Sequence, residues 1–419
     1  MGDLKKTIGV FSGIAIAIGM VMGSGLFGLP GLAIDIAGAK LSLLGWLAII
    51  LAVIPMIYIF IKLGIKFPKA GGLSTYAKAA FGDWAEFGVV AVLSGTFIIG
   101  IPALAIIGGE YLTKLFSISI ELKYFFAFLF LLFATIINIY GVQMASWINK
   151  ISLIFILLLI IVLVIIHPDY LTEGIKALNF KTENIKINKL WEVMALLFWA
   201  FLGWENLSFG LEEFKNPKKT IPIIYWGSFF IVSMFYFMLA LLVSGAVISG
   251  IKVSGASAIA SILSDNVTLS KFLIFFMVVV IIANANSWVF GASRLIYSAG
   301  KDGILFKKLG ILNKKGIPSN ALITLMIFYA FFIFALYYFK IDLSKIIMIV
   351  SQNFLVLYLF SIIAFAKLFS GTIDRIVLLL SSVILLFFFQ GFGVAIIYPL
   401  ILLLIGFVRY KKTNIITIG

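Results

Sequence analysis

Two short stretches of this chain combine residue types that could bind a small zwitterion. The first, GMVMGSGLFGLPG at 19–31, places five glycines and a proline inside an otherwise unbroken apolar run. Each interior glycine costs a helix about 1 kcal/mol relative to alanine, and proline about 3. A segment that only had to cross a bilayer would use leucine and alanine instead. Unwinding a helix at that depth frees backbone N–H and C=O groups that lipid cannot satisfy, so they must face a cavity or a ligand. Gly23-Ser24-Gly25 is the expected break. Glycine tolerates unwound torsions and lets a ligand reach the backbone. The half-helix that follows points its positive end at the cavity, which suits a carboxylate. The alternative is close helix packing, which small residues spaced by three or four also promote; Gly19, Gly23 and Pro30 all suit it.

The second stretch is WAFLGWENLSFG at 199–210, with its break expected at Gly203. Freed carbonyls near Trp199 and Leu202 can accept from an ammonium group, and the Trp199 ring offers a face to a cation or an apolar side chain. A carboxylate site beside an ammonium site describes an amino acid. Glu205 is the acidic residue nearest the middle of any apolar segment. An ionisable group there is a functional candidate by default. It either exchanges a proton or is a structural carboxyl bonded to unwound backbone. Trp288 either closes the cavity or packs.

The elements that must position these residues follow from composition. Of 419 residues, 63% are hydrophobic and 12% charged, against roughly 25% charged in a soluble globular chain. The chain reads as a polytopic membrane protein. A bilayer-spanning helix needs about 20 apolar residues. That places spans near 8–37, 42–65, 85–114, 124–142, 149–167, 191–212, 222–247, 271–294, 320–339, 344–367, 375–390 and 392–409, twelve in all. With the N-terminus inside, 21 of the 32 Lys and Arg fall in inner segments, so both termini are expected in the cytoplasm of a multi-pass cell-membrane protein. Four of the outer eleven crowd one loop, 168–190. The two breaks lie five spans apart, which makes successive five-helix units antiparallel; paired broken helices of this kind point to a transporter site at the membrane midplane. The expectation is one transmembrane domain over 1–419, with inverted repeats near 8–167 and 191–367 and two extra helices near 375–409.

Other function classes fit poorly. The net charge of +15 lies in short loops rather than on one face, which excludes a nucleic-acid partner. Without cysteine there is neither a disulfide framework nor a thiolate metal site. FPKAGGLSTYAKAAFGDW at 67–84 is glycine-rich but lacks the phosphate-loop spacing and follows a span rather than a strand. EEFKNPKKTIP at 212–222 is a polar turn, and His167, the only histidine, abuts Pro168 at an interface and is read as uninvolved. No cluster of acids and histidines supports a membrane enzyme, and no ring or carbonyl filter supports a channel. No cofactor or metal is expected.

With GSGLFGLPG (23–31), PKAGGLSTYAKAAFGDW (68–84), FWAFLGWENLSFGLEEFKNPKKTIP (198–222) and SRLIYSAGKDG (293–303) in place, the chain resembles the amino acid–polyamine–organocation superfamily over nearly its whole length. Gly100-Ile-Pro-Ala103, EFKNP (213–217) and Ile317-Pro-Ser-Asn-Ala321 make it similar to the amino acid efflux branch, which exports methionine and branched-chain amino acids. The resemblance implies an all-α, LeuT-like fold of five plus five inverted helices and two more, with helices 1 and 6 broken. It implies a substrate carboxylate at Ser24 and Gly25, and an ammonium at the carbonyls of Val21, Trp199 and Leu202. It also implies an aromatic stacking role for Trp199, a gating role for Trp288, and Glu205 as the helix 6 acid. Some proton-coupled relatives carry a lysine in the middle of helix 5 where others bind sodium; here that position falls near Ile156, with Lys150 lying toward the inner end instead, a departure from the family pattern that leaves the resemblance without a coupling ion. The ion expected is a proton, with sodium as the alternative. The function expected is alternating-access transport of a neutral, apolar amino acid, in the direction of efflux. Uptake or exchange of an amino acid or polyamine is the alternative, and a membrane enzyme or channel the distant one.

Overall fold

The computed structural model describes residues 4–180, 186–253, 259, 262, 267–341, 343–389 and 396–418, apart from some side chains within helices. The architecture is all-helical. In chain order the helices are α1 (Val10–Val21), α2 (Ser24–Lys66), α3 (Leu73–Phe81), α4 (Asp83–Phe116), α5 (Lys123–Tyr140), α6 (Val142–Ile166) and α7 (Pro168–Lys176). They continue as α8 (Ile187–Phe198), α9 (Trp204–Leu207), α10 (Pro217–Ile248), α11 (Val267–Lys301), α12 (Ser319–Phe339), α13 (Leu343–Leu368), α14 (Thr372–Phe389) and α15 (Ile397–Ile418). Among the described residues, ten helices are long and apolar enough to cross a membrane.

The packing sorts most of these into two groups. In one, α2 lies against α8 and α10, and α1 against α10; in the other, α4, α5, α11 and α12 pack on one another. Helices α6 and α11 also flank α1, so α1 sits where the groups meet. The exposed apolar side chains of α5, α6, α12 and α14, such as Phe133, Ile165, Phe331 and Leu386, form the outward faces a bilayer would cover.

Several boundaries differ from the sequence expectation. The expected loop between the first two spans is a bend inside α2 at Gly38, whose φ of 75° suits glycine. Helix α10 begins at Pro217 rather than near 222, because proline fits the first turn of a helix. Helix α11 runs on to Lys301, a little under two turns past the expected end near 294. Two short amphipathic helices, α3 and α7, lie in stretches read as loops. Helix α3 is tied to the start of α4 by Lys78, which pairs with Glu86 at 2.7 Å and Asp83 at 3.0 Å. Partial burial opposes the charge on Lys78, yet the two carboxylates hold its ammonium above the ordinary lysine range.

Candidate functional site

Helix α1 stops at Val21. Met22 is extended, with φ −88° and ψ 108°, and Gly23 follows at φ −144° and ψ −135° before α2 begins at Ser24. The carbonyls left open at the end of α1 are taken up by side chains from α10 and α11. Asn284 Nδ2 donates to the Gly19 and Met20 carbonyls at 2.7 and 3.0 Å, Trp288 Nε1 donates to Met20 at 2.8 Å, and the Tyr236 hydroxyl donates to Val21 at 3.2 Å. A side chain at Gly23 would run into that of Asn284.

After α8, a 3₁₀ turn at Trp199–Phe201 leads into an extended Leu202 and then Gly203, at φ 125° and ψ −19°. An added Cβ at Gly203 would lie 2.8 Å from the Met20 carbonyl oxygen and 3.2 Å from Val21 Cγ2. The two irregular segments therefore press directly against each other, and only glycine permits both the torsion and the approach.

Between them lies a tight cavity with about 30 Å³ of free space. Val21, Gly23, Gly25, Trp199, Leu202 and Trp288 all line it. The side chain of Ser24 lies outside the described residues; its backbone opens α2. Met20, Tyr236 and Asn284 line it too, and the remaining walls come from α4 (Thr96, Phe97, Gly100, Ile101, Leu104) and α13 (Val350, Phe354). No Asp, Glu, Lys, Arg or His lines the cavity among the described residues. Trp288 also stands edge-on to Phe97 and Phe354, with centroids 6.0 and 5.6 Å away.

Glu205 and Gly203 do not line the cavity. Glu205 is fully buried; it accepts the Gly203 amide at 2.9 and 3.1 Å and the Tyr358 hydroxyl at 2.5 Å. The amide of Gly203, the cap residue of α9, thus meets a carboxyl group supplied by that helix. The start of α2 has no side-chain cap, and its Gly25 faces the cavity. Ile156 is buried in α6, and Lys150 sits 5.5 Å over the Phe11 ring, away from the cavity.

The two ends of the bundle differ. A second cavity, of about 650 Å³, shares Gly25 and Trp199 with the first and reaches Glu110 and Lys114 at the end of α4. At the opposite end, near the chain termini, the segment before α1 pairs with the one before α10: Ile8 N–H donates to Glu213 O, and Lys215 N–H to Ile8 O, both at 2.9 Å. Glu212 takes the Leu4 and Ala70 amides at 3.0 and 3.1 Å. Beside it Arg294 Nε donates to Glu213 Oε1 at 2.7 Å, fully enclosed.

Asn284, Tyr236, Tyr358 and Glu212 were not singled out from the sequence. Asn284 had a signal: it precedes Trp288 by four residues, which places both on one face of α11. The tyrosines had none, since each answers a backbone group far away in the chain.

A bundle of apolar helices around a cavity without charged side chains among the described residues, at two irregular helix junctions, fits a multi-pass membrane carrier of small solutes. The amino acid permease family matches residues 8–414, and the chain belongs to that family. It is a transporter rather than an enzyme. The L-methionine/branched-chain amino acid exporter YjeH of Escherichia coli is 24% identical, with 88% of each chain covered. The cadaverine/lysine antiporter of the same species is 24% identical over 77% of this chain and 73% of its own. Among solved structures, MhsT in complex with L-phenylalanine matches with a TM-score of 0.67 at 16% identity, covering 98% of this chain and 100% of that one. That likeness establishes the shared fold.

Proposed function

We propose that this transporter carries a neutral, apolar amino acid between the junctions at Gly23 and Gly203. The observation that carries the reading is the cavity itself: it touches both junctions and, among the described residues, contains no charged side chain. The uncapped start of α2, at Ser24 and Gly25, receives the carboxylate, and the carbonyls of Val21, Trp199 and Leu202 face the ammonium. Phe97, Ile101, Val350 and Phe354 take the apolar side chain. The Trp199 ring separates the site from the larger cavity, and Trp288 braces the end of α1.

In this reading α1 with the first part of α2 forms one interrupted span, and α8 with α9 another. Counting α2 as two spans at Gly38 and adding α15 makes twelve, arranged as inverted repeats near 8–167 and 191–367 and two further helices, with both termini cytoplasmic. The larger cavity then opens toward the outside, with Trp199 between it and the site, and the Glu212 and Glu213 contacts close the cytoplasmic side. Transport proceeds by rocking α1, α2, α8 and α10 against the second group. Similarity to an exporter supports efflux. Glu205 is the proton-exchanging group of this reading. Sodium is a second reading for the ion: Asn149 Oδ1 and Ser287 Oγ, buried without hydrogen-bond partners among the described residues, both face Gly19. A polyamine fits less well, since it has no carboxylate for α2 and would call for acids that the cavity lacks.

The test is a radiolabelled amino-acid panel in proteoliposomes with imposed proton and sodium gradients. Saturable counterflow of methionine, leucine or phenylalanine, accelerated by a pH gradient, is expected. Transport confined to lysine or a diamine would overturn the substrate assignment.

A further inference from the structure

Lysines on the outer side of a membrane protein run against the usual charge distribution, and here four of them line a single cavity. Lys40, Lys176, Lys186 and Lys189 border an open cavity of about 620 Å³ at the end of the bundle opposite the termini. No acidic side chain lines it among the described residues. Lys176 pairs with Glu173 at 2.7 Å and Lys189 with Glu192 at 2.7 Å, each partner three residues away on its own helix. Lys40 and Lys186 have no ion-pair partner among the described residues.

The walls are built rather than loose. Helix α7, which carries Lys176, packs backbone-to-backbone on α10: a Cβ at Gly174 would strike the Leu241 carbonyl, and one at Gly245 the Tyr170 carbonyl. Ser244 Oγ donates to the Ala39 carbonyl at 3.4 Å, fixing the bend of α2 to the same helix. The four lysines therefore come from three elements: the part of α2 after Gly38, α7, and the start of α8. Helix α8 begins beside the cavity with no side-chain cap from Lys186; Asn188 Oδ1 takes the Lys189 amide, and the Ile187 and Asn188 amides add to the positive field.

We propose that this cavity binds a phosphate group and that the bound phosphate ties the bend of α2 to the start of α8. Lysine is a compact, strongly hydrated point charge suited to phosphate. The cavity opens at the ends of membrane-spanning helices, where lipid headgroups lie. An anionic phosphodiester headgroup, with no cation of its own to neutralise it, and free phosphate share the recognised chemistry, and the two can be told apart.

Full-length protein is reconstituted in phosphatidylcholine nanodiscs with increasing phosphatidylglycerol, or in phosphatidylcholine alone with increasing inorganic phosphate at constant ionic strength. Its unfolding temperature is followed in each series. A saturable rise in the first series alone assigns a headgroup, and a rise in the second assigns free phosphate. A lysine near an anionic surface is worth roughly fivefold in affinity, so Lys40→Gln/Lys186→Gln should raise the half-saturating concentration about 25-fold. Lys40→Arg/Lys186→Arg should restore the response, which separates charge from any folding defect. Lys271→Gln/Lys340→Gln removes the same charge outside the cavity and should respond as the unaltered protein does. The proposal is overturned if neither series stabilises the protein, or if the two glutamine pairs respond alike.

Discussion

The Glu205 carboxylate holds the Gly203 amide with both oxygens, at 2.9 and 3.1 Å, directly across the second helix junction. Tyr358 donates to it from α13, a helix that also contributes Val350 and Phe354 to the cavity. Glu205 therefore couples the junction to an element of the cavity wall without touching the cavity. Its protonation state decides how strongly that connection holds, since a charged acceptor forms hydrogen bonds about twice as strong as a neutral one.

Glu205→Gln keeps the size of the side chain and one oxygen acceptor for Gly203 or Tyr358. It should leave exchange intact and remove acceleration by a pH gradient. Glu205→Ala strands the Gly203 amide and the Tyr358 hydroxyl, at about 1–3 kcal/mol for each buried group, and should lower the unfolding temperature markedly. Unchanged gradient-driven transport in the glutamine variant would make Glu205 purely structural.

Gly203→Ala combines a φ of 125° with a Cβ 2.8 Å from the Met20 carbonyl oxygen. Strain of this kind costs on the order of 1–3 kcal/mol, and it falls where the two junctions meet. The variant should insert, lose thermal stability and show at least tenfold weaker counterflow. Wild-type counterflow would mean that the junctions need not touch.

Much of this geometry is legible in the sequence, for a plain reason: glycines in an apolar run are too costly to be there by default. Gly23 and Gly203 drew attention on that ground, and both have non-helical torsions. The partners that stabilise those torsions were not legible. Tyr236 reaches Val21 across 215 positions and Asn284 reaches Gly19 across 265, so only packing brings them together. Hydropathy marks only where apolar runs end, so it places a loop where α2 bends at Gly38.

Trp288→Phe removes the donor to the Met20 carbonyl but keeps an aromatic ring near Phe97 and Phe354. One buried hydrogen bond is worth about 1 kcal/mol. Half-saturation for the substrate should rise roughly fivefold while maximal counterflow changes little. A collapse of maximal rate with unchanged half-saturation would assign Trp288 to the moving parts instead.

Glu212→Ala frees the Leu4 and Ala70 amides at the terminal end of the bundle. The chain has no cysteine, so Thr75→Cys, in the cavity that Glu212 also lines, gives a labelling site without background. Losing two hydrogen bonds, about 1 kcal/mol each, should speed labelling by a membrane-impermeant thiol reagent about tenfold or more. An unchanged rate would show that Glu212 does not hold this end closed.

The central claim is that backbone at the two junctions holds both charged ends of an amino acid. It is tested most directly by competition against labelled leucine counterflow, comparing leucine with leucinol, which lacks the carboxylate, and 4-methylpentanoate, which lacks the ammonium. Each charged end is worth about 1.5–3 kcal/mol, so both analogues should compete at least tenfold less well than leucine. Competition by either analogue at the strength of leucine would contradict the account.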